Sequence, residues 1–77
     1  MKLTEATSKR IKQLLETGGL IPNYLHTEGG LPKSTVSTIM NEKVKTVKLD
    51  TLYQICATLG ISLKRFFDDP IFDEVSD

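Results

Sequence analysis

Breaks at Gly18-Gly19, at Gly29-Gly30-Leu31-Pro32, at Gly60 and at Pro70 cut this chain into segments of a few helical turns each. Between the breaks, apolar residues recur three and four positions apart, the spacing that gathers them on one face of a helix. No stretch alternates with the period of two that a half-buried strand needs. The pattern therefore predicts an all-α chain whose helices are short and whose direction changes at defined points.

The first helix is expected from about Thr4 to Thr17. Ile11, Leu14 and Leu15 fall on one side and Lys9, Lys12 and Gln13 on others, with Leu3 and Ala6 as possible extensions of the apolar stripe. Gly18-Gly19 ends it as a left-handed cap would. Pro22 suits the first position of a second helix, anchored by Leu25 and stopped at Gly29-Gly30 about two turns later. Proline biases Leu31 away from helical geometry, so the chain turns there before a third helix over Lys33 to Asn41. A fourth helix begins at Leu49-Asp50 and carries Leu52, Ile55, Cys56 and Leu59 on one face up to Gly60. Asp50 is of the type that caps a helix or complements its dipole. Ser62 can cap a short fifth helix that ends at Phe66-Phe67, after which Pro70 blocks continuation.

Seventy-seven residues make one domain, near the size at which a single core is only just sufficient. Cys56 is the only cysteine, which rules out a disulfide within the chain and a cysteine-based metal cluster and fits a reducing compartment. The first residues contain no apolar run of the length a signal peptide or membrane span requires, so a cytoplasmic location is expected. His26 is the sole histidine, with no glycine-rich phosphate loop or recognisable carboxylate pair beside it, so no enzyme, metal or cofactor is expected.

A net charge of zero conceals an asymmetry. Residues 1–67 hold all ten Lys and Arg against five acids, whereas residues 68–77 hold the other five acids and no base. A basic body suits a polyanionic partner, because each neutralised phosphate releases condensed counterions. An acidic tail could compete with phosphate for that body. The third segment adds directional chemistry: Val36, Ile39 and Met40 can face a core while Lys33, Ser34, Ser37 and Thr38 face outward. Ser and Thr are indifferent helix formers, so their density here is not explained by propensity.

The run from Leu20 to Phe67 resembles, without a gap, the DNA-binding domain of the phage Cro and repressor family, also called Xre-like regulators. The likeness is carried by Gly30-Leu31, Ser34-Thr35-Val36-Ser37, Ile39, Asn41, Leu49-Asp50-Thr51-Leu52, Ile55, Leu59-Gly60-Ile61-Ser62 and Phe66-Phe67, with Lys9-Arg10-Ile11-Lys12 and Leu14 from the first helix. It implies a compact five-helix bundle, lambda-repressor-like, containing a helix-turn-helix: residues 1–69 as a DNA-binding domain and residues 70–77 as an acidic C-terminal tail. The third helix of such domains enters the major groove. Lys33, Ser34, Thr35, Ser37 and Thr38 are then the expected base readers, and Lys9, Arg10, Lys43, Lys45 and Lys48 the expected phosphate contacts. Tyr24 is a further phosphate candidate, or else packs against the first helix. The implied partner is double-stranded DNA, bound as a homodimer at least when on DNA, by a small transcriptional repressor acting through occupancy of its operator.

The sequence departs from that family pattern in places. Pro22 stands where glutamine is common, His26 where a small alanine is usual, Ile21 and Pro32 where a capping side chain is frequent, and Glu42 where glycine is common. A histidine at position 26 must point sideways or push the second and third helices apart. These departures leave open a second role, in which the fold serves as a protein-interaction module with weak or no DNA binding. Phe67, Ile71, Phe72 and Val75 can either form a dimer surface or fold back over the chain's own core.

Overall fold

The apolar stripes of five α-helices meet in one core. The helices are α1 (Leu3–Thr17), α2 (Tyr24–Thr27), α3 (Lys33–Met40), α4 (Leu49–Leu59) and α5 (Leu63–Phe67), followed by a 3₁₀ helix (Pro70–Glu74). This is a computed structural model, and it describes residues 1–76. Among the described residues there are no strands. Ile11 and Leu15 of α1, Leu25 of α2, Val36 and Ile39 of α3, Ile55 and Cys56 of α4 and Phe66 of α5 pack together, with Leu31 from the turn before α3 filling the space between them. Fully burying each aliphatic or aromatic side chain of this kind contributes roughly 1.5–3 kcal/mol. Burial also raises the pKa of the Cys56 thiol, keeping it protonated and inert, as a small core residue should be.

The helix ends follow from specific residues. Gly19 and Gly60 adopt left-handed φ of 68° and 72° after α1 and α4. After α4, the Gly60 and Ile61 N–H groups return to the carbonyls of Ala57 and Cys56. The same closure ends α3, where the Glu42 N–H reaches the Ile39 carbonyl and the Lys43 N–H the Thr38 carbonyl. There the left-handed position, φ 55°, is filled by Glu42, the only non-glycine with positive φ among the described residues. An L-residue so placed costs about 1 kcal/mol or more. Ser62 caps α5 as expected, its Oγ accepting the Arg65 N–H at 3.0 Å. Asp50 lies in the first turn of α4 without a capping hydrogen bond, so it serves the helix dipole rather than the cap.

Two elements differ from expectation. Helix α2 is four residues long and begins at Tyr24, not Pro22. The N–H groups of Tyr24, Leu25 and His26 bond three residues back, to Ile21, Pro22 and Asn23. With no capping side chain at Ile21, the first turn tightens into 3₁₀ geometry. The second difference is the tail. Pro70 stops α5 but also starts the 3₁₀ helix, because Asp69 before it accepts the Ile71 N–H at 2.9 Å. Phe72 then reaches back, its ring centroid 5.8 Å from Phe66 and 4.9 Å from Phe67. The chain ends are tied together as well: the Met1 ammonium donates to the Glu74 carbonyl at 3.0 Å and the Ser76 N–H to the Met1 carbonyl at 3.0 Å. Asp77 of the acidic tail lies outside the described residues.

One core position is imperfect. Ser8 of α1 is fully buried and its hydroxyl has no hydrogen-bond partner. A buried orphan hydroxyl costs roughly 1–3 kcal/mol, and alanine is the better helix former. Ser8→Ala is therefore expected to stabilise the domain by about 1 kcal/mol, raising Tm by ~4–8 °C in thermal unfolding. A lower Tm would show that the hydroxyl is satisfied.

Candidate nucleic-acid interface

Helix α3 is held from behind and from its N-terminal side. Val36 and Ile39 are buried, so the opposite face of α3 must look outward, and Lys33, Ser34 and Ser37 are exposed there. The turn leading into it is fixed by two side chains from different helices. His26 of α2 bonds through Nδ1 to the Leu31 carbonyl at 2.7 Å. A carbonyl can only accept, so Nδ1 carries the hydrogen. Gln54 of α4 donates to the Gly29 carbonyl. His26 thus points sideways and fastens the turn. Glycine is required at position 29 by space, since a Cβ there would lie 2.6 Å from the Leu25 carbonyl oxygen and 2.8 Å from Thr58 Oγ1.

Ser34, Thr35 and Thr38 of α3 line one open concavity together with Lys43, Val44, Lys45 and Thr46 of the connector, residues 41–48 between α3 and α4. Residues twelve apart in sequence are thereby joined, because the left-handed turn at Glu42 folds the connector back beside α3. Thr46 is a member that sequence reading passed over. A hydroxyl set between lysines, in Lys45-Thr46-Val47-Lys48, was the available signal. Lys48 borders a neighbouring depression with Pro32, Thr35 and Thr51. Lys33 and Ser37 lie on the exposed face outside these concavities, and Tyr24 is half-buried on α2.

Internal bonds narrow what the hydroxyls can do. Thr38 Oγ1 donates to the Ser34 carbonyl at 2.8 Å, which leaves its lone pairs and methyl for a ligand. Ser37 Oγ accepts from Asn41 Nδ2 at 3.3 Å and keeps its own hydrogen to donate. Ser34 and Thr35 have no such commitment among the described residues. Neither does α3 have a side-chain cap at Pro32. Its eight residues span about 12 Å, close to the width of the major groove.

Two of the expected phosphate contacts are engaged elsewhere. Arg10 is not a surface cation: it is only 8% exposed, and its guanidinium spans the gap between α1 and the end of α5. Nε donates to the Phe66 carbonyl at 2.7 Å and Nη2 to the Arg65 carbonyl at 2.9 Å, while Nη1 reaches Gln13 Oε1 at 2.6 Å and Asp69 Oδ2 at 3.2 Å. A cation at a helix C-terminus satisfies carbonyls that the helix itself leaves unpaired. Lys9 remains partly exposed, with its ammonium 3.1 Å from Glu42 Oε1, and Lys12 lies 2.9 Å from Oε2 of the same carboxylate.

Hydrogen bonds from Lys12 and Lys9 hold the Glu42 carboxyl below the usual glutamate pKa. Its contribution to stability is thus present above the ordinary carboxylate range and is lost as pH falls through the depressed folded value. Wild type and Glu42→Gln should accordingly differ in stability at neutral pH by an amount that shrinks on acidification, as read by urea unfolding across pH 2–7. A constant difference would count against the pairing.

Among the described residues no helix is long and apolar enough to cross a membrane, and no His, Cys, Asp and Glu group has metal-binding form. No curated protein matches the chain. A solved structure, described as "Crystal structure of the prophage Lp1 protein 11", superposes with a TM-score of 0.81 at 36% sequence identity, covering 97% of this chain and 100% of that one. Residues 10–69 match the family model described as "Cro/C1-type HTH DNA-binding domain". That span runs from Arg10 to its partner Asp69 and takes in the whole turn, α3 and the connector described above. The chain belongs to the Cro/C1-type helix-turn-helix DNA-binding family.

Proposed function

We propose that this domain binds double-stranded DNA in a sequence-specific manner and represses transcription by occupying its operator. The observation that carries the reading is the single concavity in which hydroxyls of α3 face connector lysines, the combination needed for base edges and phosphates to be met at once. Ser34, Thr35 and Ser37, with Lys33, are the base readers, and Thr38 contributes its methyl to thymine contact. Lys43, Lys45 and Lys48 carry the phosphate contacts. Repression suits a domain of this kind because blocking a promoter requires occupancy alone.

The longest dimension of the domain is 33 Å, about one turn of duplex, so one copy fills one half-site. The operator is therefore read by a homodimer. Phe67, 43% exposed at the end of α5, offers apolar surface to a second copy, whereas Phe72 is drawn back onto α5. Selection of bound sequences from random duplex DNA tests the whole reading. The expected product is a palindrome whose halves are centred about 34 Å apart. A single enriched half-site would remove the dimer, and no enrichment together with no duplex binding at low salt would leave the interaction-module role in its place.

A further inference from the structure

Four helix ends in this domain pass through a left-handed residue, and three of them use glycine: Gly19, Gly30 and Gly60 at φ 68°, 74° and 72°. The fourth, which closes the reading helix, uses Glu42 at φ 55°. A side chain is thus kept at the one such position that adjoins the proposed interface, against the backbone preference. What it touches is specific. Each carboxylate oxygen of Glu42 takes one lysine of α1, Lys9 at 3.1 Å and Lys12 at 2.9 Å. The lysine side chains remain about 40% exposed, a setting in which an ion pair adds little to stability. Stability alone therefore does not explain the glutamate.

Its surroundings do. Glu42 borders a polar groove with Lys2, Lys43, Lys45 and a second acid, Glu5, and Lys43 and Lys45 also line the concavity beside α3. Of the two acids there, Glu42 is the one that forms lysine ion pairs, its two oxygens filling the role of phosphate oxygens toward Lys9 and Lys12. Among the described residues it is the only acid paired with lysine; Asp69, the one tail acid in an ion pair, is paired with Arg10. We propose that Glu42 is an internal phosphate surrogate: it occupies Lys9 and Lys12 and so sets the sequence-independent affinity of the domain below what its lysines could supply. This inference rests on the DNA-binding reading above and deepens it. A lysine held by Glu42 displaces no counterions from DNA, and a carboxylate within a Debye length of a phosphate, about 10 Å at 0.1 M salt, also repels it. Freeing both lysines adds up to two phosphate contacts to every duplex, whatever its sequence.

The test is titration of random-sequence duplex at 50–200 mM salt. Glu42→Gln keeps the side-chain length, and Glu42→Gly suits the left-handed backbone, so at least one variant folds normally. The expected result is a slope of log K against log[salt] steeper by about 0.9–1.8, with affinity at 0.1 M salt raised roughly tenfold or more. In a Lys9→Ala/Lys12→Ala background the steepening should vanish. An unchanged slope, or an equal rise in that background, overturns the proposal. Lys43→Ala/Lys45→Ala separates the two readings: if it weakens binding while Glu42→Gln has no effect, DNA binding stands and this inference falls. Absence of duplex binding by every variant, Glu42→Gln included, overturns both.

Discussion

Replacing Arg10 by methionine is expected to cost about 3–5 kcal/mol, because it removes one partner of a buried ion pair while leaving the other in place. The side chains of Arg10 and Asp69 are only 10% and 18% exposed. Methionine fills a similar volume but donates nothing. The substitution removes the only cation paired with the Asp69 carboxylate and takes the guanidinium's bonds from the carbonyls of Arg65 and Phe66, leaving Asp69 only the Ile71 N–H and Arg65 only the Asp68 N–H. Total stability for 77 residues is on the order of 4–12 kcal/mol, so the loss approaches the whole at the lower end. Thermal unfolding should show a fall in Tm of at least ~12 °C. Arg10→Lys should recover only part, since an ammonium cannot reproduce the planar fork that serves two carbonyls and a carboxylate. Adding Asp69→Asn to Arg10→Met should restore some stability, because the uncompensated charge is then gone. A change below about 1 kcal/mol in Arg10→Met would show the guanidinium to be solvated, and would return Arg10 to the set of phosphate contacts.

Lys43→Ala/Lys45→Ala should lower affinity for any duplex by roughly fifty-fold at 0.1 M salt and flatten the salt dependence by about 1.8, two contacts' worth. Both side chains are exposed and neither forms an ion pair among the described residues, so stability should stay within ~0.5 kcal/mol of wild type. Alanine at Ser34 or Thr35 should act differently, changing which sequences are selected while leaving the salt slope alone. The two patterns separate backbone positioning from base reading. Equal loss for every sequence from Ser34→Ala, with an altered slope, would assign that hydroxyl to a phosphate instead.

How far the sequence could be read depended on the range of the interaction involved. Gly19, Gly60 and Ser62 act on residues within one turn of themselves, so the ends of α1 and α4 and the start of α5 are legible from local chemistry. Leu52, Ile55 and Cys56 mark their buried face by spacing alone. Arg10 is the counterexample. It belongs to a Lys-Arg-Ile-Lys run and reads as a surface base, yet four of its five N–H donors find acceptors on residues 55 to 59 positions away and three away. Nothing in its neighbourhood along the chain announces them. Likewise Pro70 reads as a stop, and only the aromatic surface of Phe66 and Phe67 gives the following turn somewhere to pack.

The chain's short-range pattern determines an all-helical, helix-turn-helix domain whose third helix turns hydroxyls outward, because helical period, caps and left-handed glycines are local physics. Tertiary structure alone decides which charges remain free to meet a partner. It removes Arg10 to the end of α5, ties Lys9 and Lys12 to Glu42, and sets Lys43 and Lys45 beside Ser34 and Thr35. A charge is visible in the sequence, but its counter-charge lies wherever the folded chain brings one within about 4 Å.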